Sequence, residues 1–498
     1  MIFTPRQLTD LATPYPDRII AQIRGNNIDT AAALTRDMAG SRIRLHDFFA
    51  DSCTVLWSFA GERFGEPAVD DMFRFVFEKA ARRQFFEAAG AQTLPHLSVY
   101  MLARSWRAHS CFGAGQYPGA FSITEDDEKF TFHLHPCGSG LRLWQKGWYE
   151  PGAGGKTSEK ERTWTYNRKG FPYYCVHCPF LNEILPYESR YGRLLWPVDP
   201  PDGPEDSCAW HVFKDPDAIP VSYYRRLGLK KPAAAKPRKT IHNGRSFTDD
   251  QLREMARPVS DRVLEALEAG HKKNAIRLCR SVRDEFLVLH DLYVNMIAAT
   301  LDFIARRADE STLGDALERQ FELCVREQLL QPLLNLSLKD KTKSLAGRIF
   351  GPDTCNSTGS IPGRFSINET STEIIFRLDP CGSGGRLIRA GSHGPRPFFR
   401  KWRESLETGA ATFSARYLPI PERLIKGAFP WTVNHFTQRK PYHLGKTRAA
   451  HPWSFGRSGT PLYCCQCGKI QEKLTDRNNL IIEPPRDKKR PCLWRLQK

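Results

Sequence analysis

The chain repeats itself. Sliding the sequence along itself by about 244 residues aligns Phe3–Leu143 with Phe247–Leu387 without a gap, and about 40 of about 140 positions match. FTPRQL meets FTDDQL, Leu45-His46-Asp47 meets Leu289-His290-Asp291, Phe77-Glu78 meets Phe321-Glu322, and PCGSG at 136–140 recurs at 380–384. Beyond that the offset drifts because the second copy carries a longer insertion, but the order is kept. Tyr174-Cys175-Val176-His177-Cys178 corresponds to Tyr463-Cys464-Cys465-Gln466-Cys467, and Cys208-Ala209-Trp210 to Cys492-Leu493-Trp494. A tandem duplication confines the fold to one unit built twice, because the two copies must satisfy the same pattern of burial.

The expected organisation is copy one at 1–228, a basic Pro/Ala/Lys linker at 229–245 containing LKKPAAAKPRKT, and copy two at 246–498. Each copy changes character part-way. In copy two, Phe286, His290, Tyr293, Ile297, Leu301 and Ile304 fall on one stripe at helical period. A second helix follows over Leu313–Leu330, and copy one has the matching pair at Ser41–Glu62 and Ala68–Ala88. Helices are therefore expected over 1–95 and 246–335, each pair forming a helical hairpin. The remainders, 96–228 and 336–498, open with a β-hairpin, FSITEDDEKFTFHLH in copy one, with Phe132 and Leu134 facing the core and Thr131, His133 and His135 facing away. The fold class is α+β: a helical hairpin followed by a small Cys-rich antiparallel sheet, stapled by zinc.

That last expectation comes from the cysteines. Five are paired between copies: Cys111 with Cys355, Cys137 with Cys381, Cys175 with Cys464, Cys178 with Cys467, and Cys208 with Cys492. Cys53, Cys279, Cys324 and Cys465 have no counterpart and read as small hydrophobes. A CxxC turn brings two sulfurs within reach of one ion, and two cysteines from distant loops complete a tetrahedron. The metal ligands are assigned as Cys137, Cys175, Cys178 and Cys208, and again as Cys381, Cys464, Cys467 and Cys492. Iron–sulfur ligation uses the same donors and is the less favoured cofactor. Reduced core cysteines are the bland alternative. In PCGSG, backbone N–H groups converge on a sulfur or an anion, so Ser139 with Arg142 and Ser383 with Arg386 are expected to hold an anionic group, against the simpler reading of a tight turn.

His46 and His290 lie on the apolar stripes of their helices. Such a histidine is usually a hydrogen-bonded core residue; beside Asp47 and Glu78, or Asp291 and Glu322, it is also the expected proton carrier of a catalytic site. His133, His135, His177 and His211 become Arg377, Asp379, Gln466 and Arg495 in copy two. The favoured reading of these four is exposed, freely variable positions; the other is that copy one is the working copy.

With no P-loop, GxGxxG after a strand, HExxH or GxSxG, the chain is not expected to be a common NTPase, dinucleotide oxidoreductase, zincin or serine hydrolase. Two functions remain: a metal-dependent hydrolase or lyase acting on a small anionic or aromatic molecule, or a non-enzymatic ligand- or nucleic-acid-binding module with structural zinc. Aromatics such as Trp144, Trp148, Trp164, Tyr166, Tyr173 and Trp196 are expected to be core filling or pocket wall.

Charge adds little. Of a net +18, residues 225–245 supply eight and residues 486–498 five, so nucleic acid is expected only at the linker and the C-terminal tail. The opening MIFTPRQLTD lacks the features of a secretory signal, and the apolar run Glu285–Ala305 is interrupted by charge and His. A cytoplasmic protein with no membrane partner and with reduced cysteines is expected.

Overall fold

The computed structural model describes residues 1–80, 95–110, 118–189, 191–234, 244–354, 361–390, 445–474, 479–485 and 490–498. The fold is α+β. Its described residues form two compact units: one drawn from 60–258, the other from 1–59, 259–394 and 440–498. The second unit thus combines the start of the chain with its later half.

In the unit of residues 60–258, strands β1 (Phe121–Glu125), β2 (Lys129–Leu134), β3 (Val198–Asp199) and β4 (Cys208–Phe213) form an antiparallel sheet of order β1-β2-β4-β3. The other unit holds β5 (Phe365–Glu369), β6 (Glu373–Leu378), β7 (Leu480–Glu483) and β8 (Cys492–Gln497) in the order β5-β6-β8-β7. Registers correspond: Leu134 faces Cys208 across β2 and β4, as Leu378 faces Cys492 across β6 and β8. Period-2 alternation buries Phe130, Phe132 and Leu134 in one sheet and Ile374, Phe376 and Leu378 in the other. Thr131, expected to face away, is buried too, because the imidazole of His211 lies 3.1 Å from its hydroxyl.

The long helices begin earlier than the apolar stripes indicate. Ser41–Glu62 is the inner part of the helix Ile28–Phe64, and Phe286–Ile304 of Lys272–Arg307. Their second partners are Glu66–Ala80, with residues 81–94 outside the described set, and Glu310–Gln320 continued by a π-helical stretch, Phe321–Leu330. Lys272–Arg307 is long and apolar enough to cross a membrane, and its most apolar window is 94% buried inside the protein, as a core helix is.

Two short helices decide how the chain is threaded. Pro5–Ala12 and Asp249–Ala256 each start with a capping box, Thr4 with Gln7 and Thr248 with Gln251, which satisfies the first free N–H groups. The first packs on the sheet of the second half: Phe3 and Leu8 join the core of Phe350, Phe376 and Trp494, and Glu369 at the end of β5 accepts the N–H groups of Ile2 and Phe3 at 2.6 and 2.9 Å. The other packs on the sheet of the first half. Phe247 sits against Tyr100 and Phe130, and Glu125 at the end of β1 accepts the N–H groups of Ser246 and Phe247 at 2.6 and 2.9 Å. Lys214 and Lys498 complete the two carboxylate clamps, at 2.9 and 2.7 Å.

Of the basic C-terminal tail, residues 486–489 lie outside the described residues and 490–498 are described. Residues 492–497 are a central strand, Arg495 pairs with Glu483 and Glu373, and Lys498 pairs with Glu369. Linker residues 235–243 lie outside the described residues; Arg226, just before them, is bound to Glu183 at 2.8 Å.

Candidate metal centre

The PCGSG turn follows β2 and leads into the helix Gly140–Gln145. Two of its glycines are required by close approach. A Cβ on Gly138 would sit 2.0 Å from the carbonyl oxygen of His109, and one on Gly140 would sit 2.8 Å from the sulfur of Cys175. The second half repeats both constraints, Gly382 against the Asp353 carbonyl at 1.6 Å and Gly384 against Cys464 at 2.9 Å. Cys175 lies in the 3-10 turn Tyr174–Val176, Cys178 in the helical turn behind it, and Cys208 opens β4. All four cysteines line one cleft, about 420 Å³ including the part open to solvent, whose wall also carries His109, Ser139, His177, Trp106, Tyr166 and Trp210. Cys381, Cys464, Cys467 and Cys492 lie within electrostatic reach of one another in the same way. Cys111 and Cys355 lie outside the described residues. The twelve described cysteines are free thiols, and the unpaired Cys53, Cys279, Cys324 and Cys465 are buried as apolar groups.

Burial pushes every thiol of both sets above the usual cysteine range, and neighbouring sulfurs push most of them further. Backbone N–H groups oppose this at the PCGSG cysteine. Leu141 N–H donates to Cys137 Sγ at 3.2 Å and Gly385 N–H to Cys381 Sγ at 2.9 Å, so the Cys381 thiol, raised by burial and by Asp353, reaches only about 11. The turn thus aims donors at a sulfur, one of the two arrangements its sequence suggests. Without a cation these are protonated thiols. A dication reverses that, because coordination deprotonates thiols outright. Among the described residues no three His, Cys, Asp or Glu side chains already stand in a geometry that holds an ion; the sulfurs share a cleft without being drawn onto one point.

The proposed anion-holding arginines are engaged internally. Arg386 donates to the carbonyls of Ile361 and Gly382 and, through both terminal nitrogens, to Asp291 at 2.5 and 3.0 Å. Arg142, buried, donates to the Gly138 carbonyl at 2.9 Å. Ser139 Oγ lies 3.1 Å from His109 Nε2, and Ser383 bonds Tyr463 and Cys381.

The buried histidines meet the expected aspartates, and their second partners are Tyr293 and Asp353 in place of the expected glutamates. His46 Nδ1 meets Asp47 at 3.1 Å, and its Nε2 lies 3.3 Å from the Tyr293 hydroxyl. Glu78 is exposed on its helix, and Glu322, half-buried, pairs with Arg326. His290 lies between two carboxylates, Asp291 at 3.1 Å and Asp353 at 3.2 Å. Burial disfavours its cation, yet these hydrogen bonds hold its pKa above the ordinary value; burial likewise opposes the Asp291 anion, but Arg386 and His290 hold it below its own. Asp353 Oδ2 accepts the Gly382 N–H at 2.7 Å and so ties His290 to the cysteine turn. Neither Asp353 nor its aligned partner His109 figured among the sequence candidates. The available signal was position: at offset 244 the two stand at equivalent places, each two residues before the paired Cys111 and Cys355.

The four variable histidines divide. His135 is exposed, and His133, half-buried, bonds Thr124 at 3.0 Å. His211 is buried against Asp199 at 2.7 Å, a place that Arg495 and Glu483 take in the other sheet. His177 lines the cysteine cleft, its Nδ1 2.5 Å from the Tyr174 carbonyl and its Nε2 3.5 Å from Cys178 Sγ. Of the aromatics singled out in the sequence, Tyr166 lines the cleft, while Trp164, Tyr173 and Trp196 are buried core.

No protein-family model, curated protein or solved structure matches this chain.

Proposed function

We propose that the chain is a duplicated, zinc-stapled binding module. Each cysteine set takes one zinc ion through four thiolates, and the ion ties the PCGSG and CxxC turns to the end of the sheet. The cleft beside the first set receives a small molecule. One observation carries this reading: sulfurs from three separate segments, positions 137, 175, 178 and 208, line a single cleft, and their counterparts at 381, 464, 467 and 492 are gathered likewise. Four thiols side by side contribute no more than small hydrophobes, whereas a structural zinc site supplies about 10–16 kcal/mol of apparent binding energy to folding. A closed set of four thiolates leaves no open coordination position, which favours a structural ion over a catalytic one. The engaged Arg386 and exposed Glu78 point the same way. Free thiols suit a reducing, cytoplasmic setting. A nucleic-acid contact would fall to the linker and the C-terminal tail.

The metal-dependent hydrolase or lyase keeps one supporting observation. His109 and His177 stand in the cleft of the first set, where the second set has Asp353 and Gln466. Metal analysis of the purified full chain separates the readings. Near two zinc per chain, falling by one in Cys175→Ser and again in Cys464→Ser, with the cobalt-substituted protein showing a four-sulfur spectrum and no exchangeable water, is the expected result. A chain stable without metal, or one carrying iron, overturns the proposal; an exchangeable water on the first ion shifts it to the enzyme.

A further inference from the structure

The second cysteine set contains a carboxylate at a position where the first has none. Asp353 accepts the Gly382 N–H inside the PCGSG turn at 2.7 Å and meets His290 at 3.2 Å through its other oxygen. At the aligned position of the first set stands His109. Its backbone approaches the turn as that of Asp353 does, each carbonyl leaving no room for a Cβ on the first glycine. Its side chain is an imidazole, stacked on Trp106 at 5.0 Å and 14°, with Nε2 3.1 Å from Ser139 Oγ. His109, Ser139 and Trp106 all line the cysteine cleft. Trp106 is 4% exposed, and its indole N–H has no hydrogen-bond partner among the described residues. A buried donor without an acceptor is costly, about 1–3 kcal/mol, and marks a place where an acceptor is missing. The remaining wall is largely apolar, with Phe171, Pro200 and Trp210.

We propose that the first cleft binds a small monocarboxylate with an apolar tail, its carboxylate taking the place that Asp353 fills in the second set. The Gly138 N–H, the His109 imidazole and the Trp106 indole N–H donate to it, and the tail lies on the apolar wall. The second set shows that such a turn tolerates a carboxylate within reach of the sulfurs. The inference rests on reading that cleft as a binding site, and it is independent of the zinc.

The test is titration of the full-length protein with acetate, butyrate and benzoate, and with the matching amides, followed by tryptophan fluorescence and calorimetry. One carboxylate is expected to saturate a single site per chain, with its amide at least about tenfold weaker, roughly 1.4 kcal/mol. His109→Asp, which installs the carboxylate of the second set, is expected to weaken binding at least about tenfold; His109→Gln, which keeps a donor, is expected to hold it within a few-fold. Should His109→Asp fail to fold, Trp106→Phe removes one donor and is expected to weaken carboxylate binding but not amide binding. No saturable binding of any of the three carboxylates up to about 20 mM, or equal binding by His109→Asp, overturns the proposal. Zinc measured on the same samples separates the two ideas. Full zinc without carboxylate binding sinks this inference alone, and carboxylate binding without zinc sinks the metal reading alone.

Discussion

Glu369→Ala is expected to release the first helix of the chain from the sheet of the second half. The Glu369 side chain has no exposed surface, and its carboxylate accepts the N–H groups of Ile2 and Phe3 at 2.6 and 2.9 Å and the Lys498 ammonium at 2.7 Å. A hydrogen bond to a charged group contributes about 1.5–3 kcal/mol. Of the three lost, two hold the first helix, and their freed N–H groups near the chain start recover part of the loss with water, so about 2–4 kcal/mol of local stability should disappear. Hydrogen exchange of a peptide covering residues 1–12 should then accelerate by about 30- to 900-fold, the same energy expressed as a local opening constant. The effect has a pH signature. Burial opposes the Glu369 anion, but Lys498 and the two N–H groups hold its pKa down to about 2. A carboxylate depressed in the folded state stabilises above its ordinary range, and that contribution fades as pH falls toward about 2. Protection of residues 1–12 should therefore decline between about pH 4.5 and 2 in the wild type and be flat in the variant. An unchanged exchange rate at neutral pH would refute the clamp, and with it the placement of this helix on β5. Glu125→Ala should likewise speed exchange of residues 246–256 at neutral pH.

Other perturbations follow from the same geometry. Gly140→Ala drives a methyl group to 2.8 Å from Cys175 Sγ and should cost about 1–3 kcal/mol, as overpacking does, with weaker zinc retention; a neutral melting curve would show that the CxxC turn is not seated on that glycine. Asp291→Asn leaves the 9%-exposed Arg386 without its charge partner and should cost about 3–5 kcal/mol in urea unfolding; a loss below about 1 kcal/mol would mean the pair is not desolvated. His290 and Asp291 also set a pH window. The raised His290 pKa gives stability that is complete below about 6.5 and is lost as pH rises through the folded value, while the depressed Asp291 pKa gives stability lost as pH falls below about 4. His290→Gln should flatten the alkaline limb, and an unaltered pH profile would count against the cluster.

Several features could be read from local pattern because local physics produces them. Period-2 alternation located the hairpin β1–β2, and Phe132 and Leu134 are buried as expected. Four of the cysteines picked out by their recurrence, Cys137, Cys175, Cys178 and Cys208, line a common cleft. Helix starts were not legible: 28–40 and 272–285 carry charge amid their apolar residues, and their helicity comes from packing more than from stripe. Partners of buried charges were not legible either. Nothing near His290 in the sequence names Asp353, and Arg386 reads as a free cation until its donors are followed to Asp291, Ile361 and Gly382. His211 looked like a variable surface position because its counterpart is Arg495, but both are the basic half of a pair, with Asp199 and Glu483.

From the sequence alone came the doubled order of motifs, the α+β class and the two small sheets. All of these depend on residue type at short range or on recurrence along the chain. Threading was decided in three dimensions. FTPRQL and FTDDQL announce their helices by capping boxes, yet neither reveals that Pro5–Ala12 sits on β5 and Asp249–Ala256 on β1. The reason is that the two sheets end in equivalent carboxylates, Glu125 and Glu369, each beside a lysine and each able to accept either pair of N–H groups. Local chemistry is the same for both pairings, so only the path of the whole chain selects one of them.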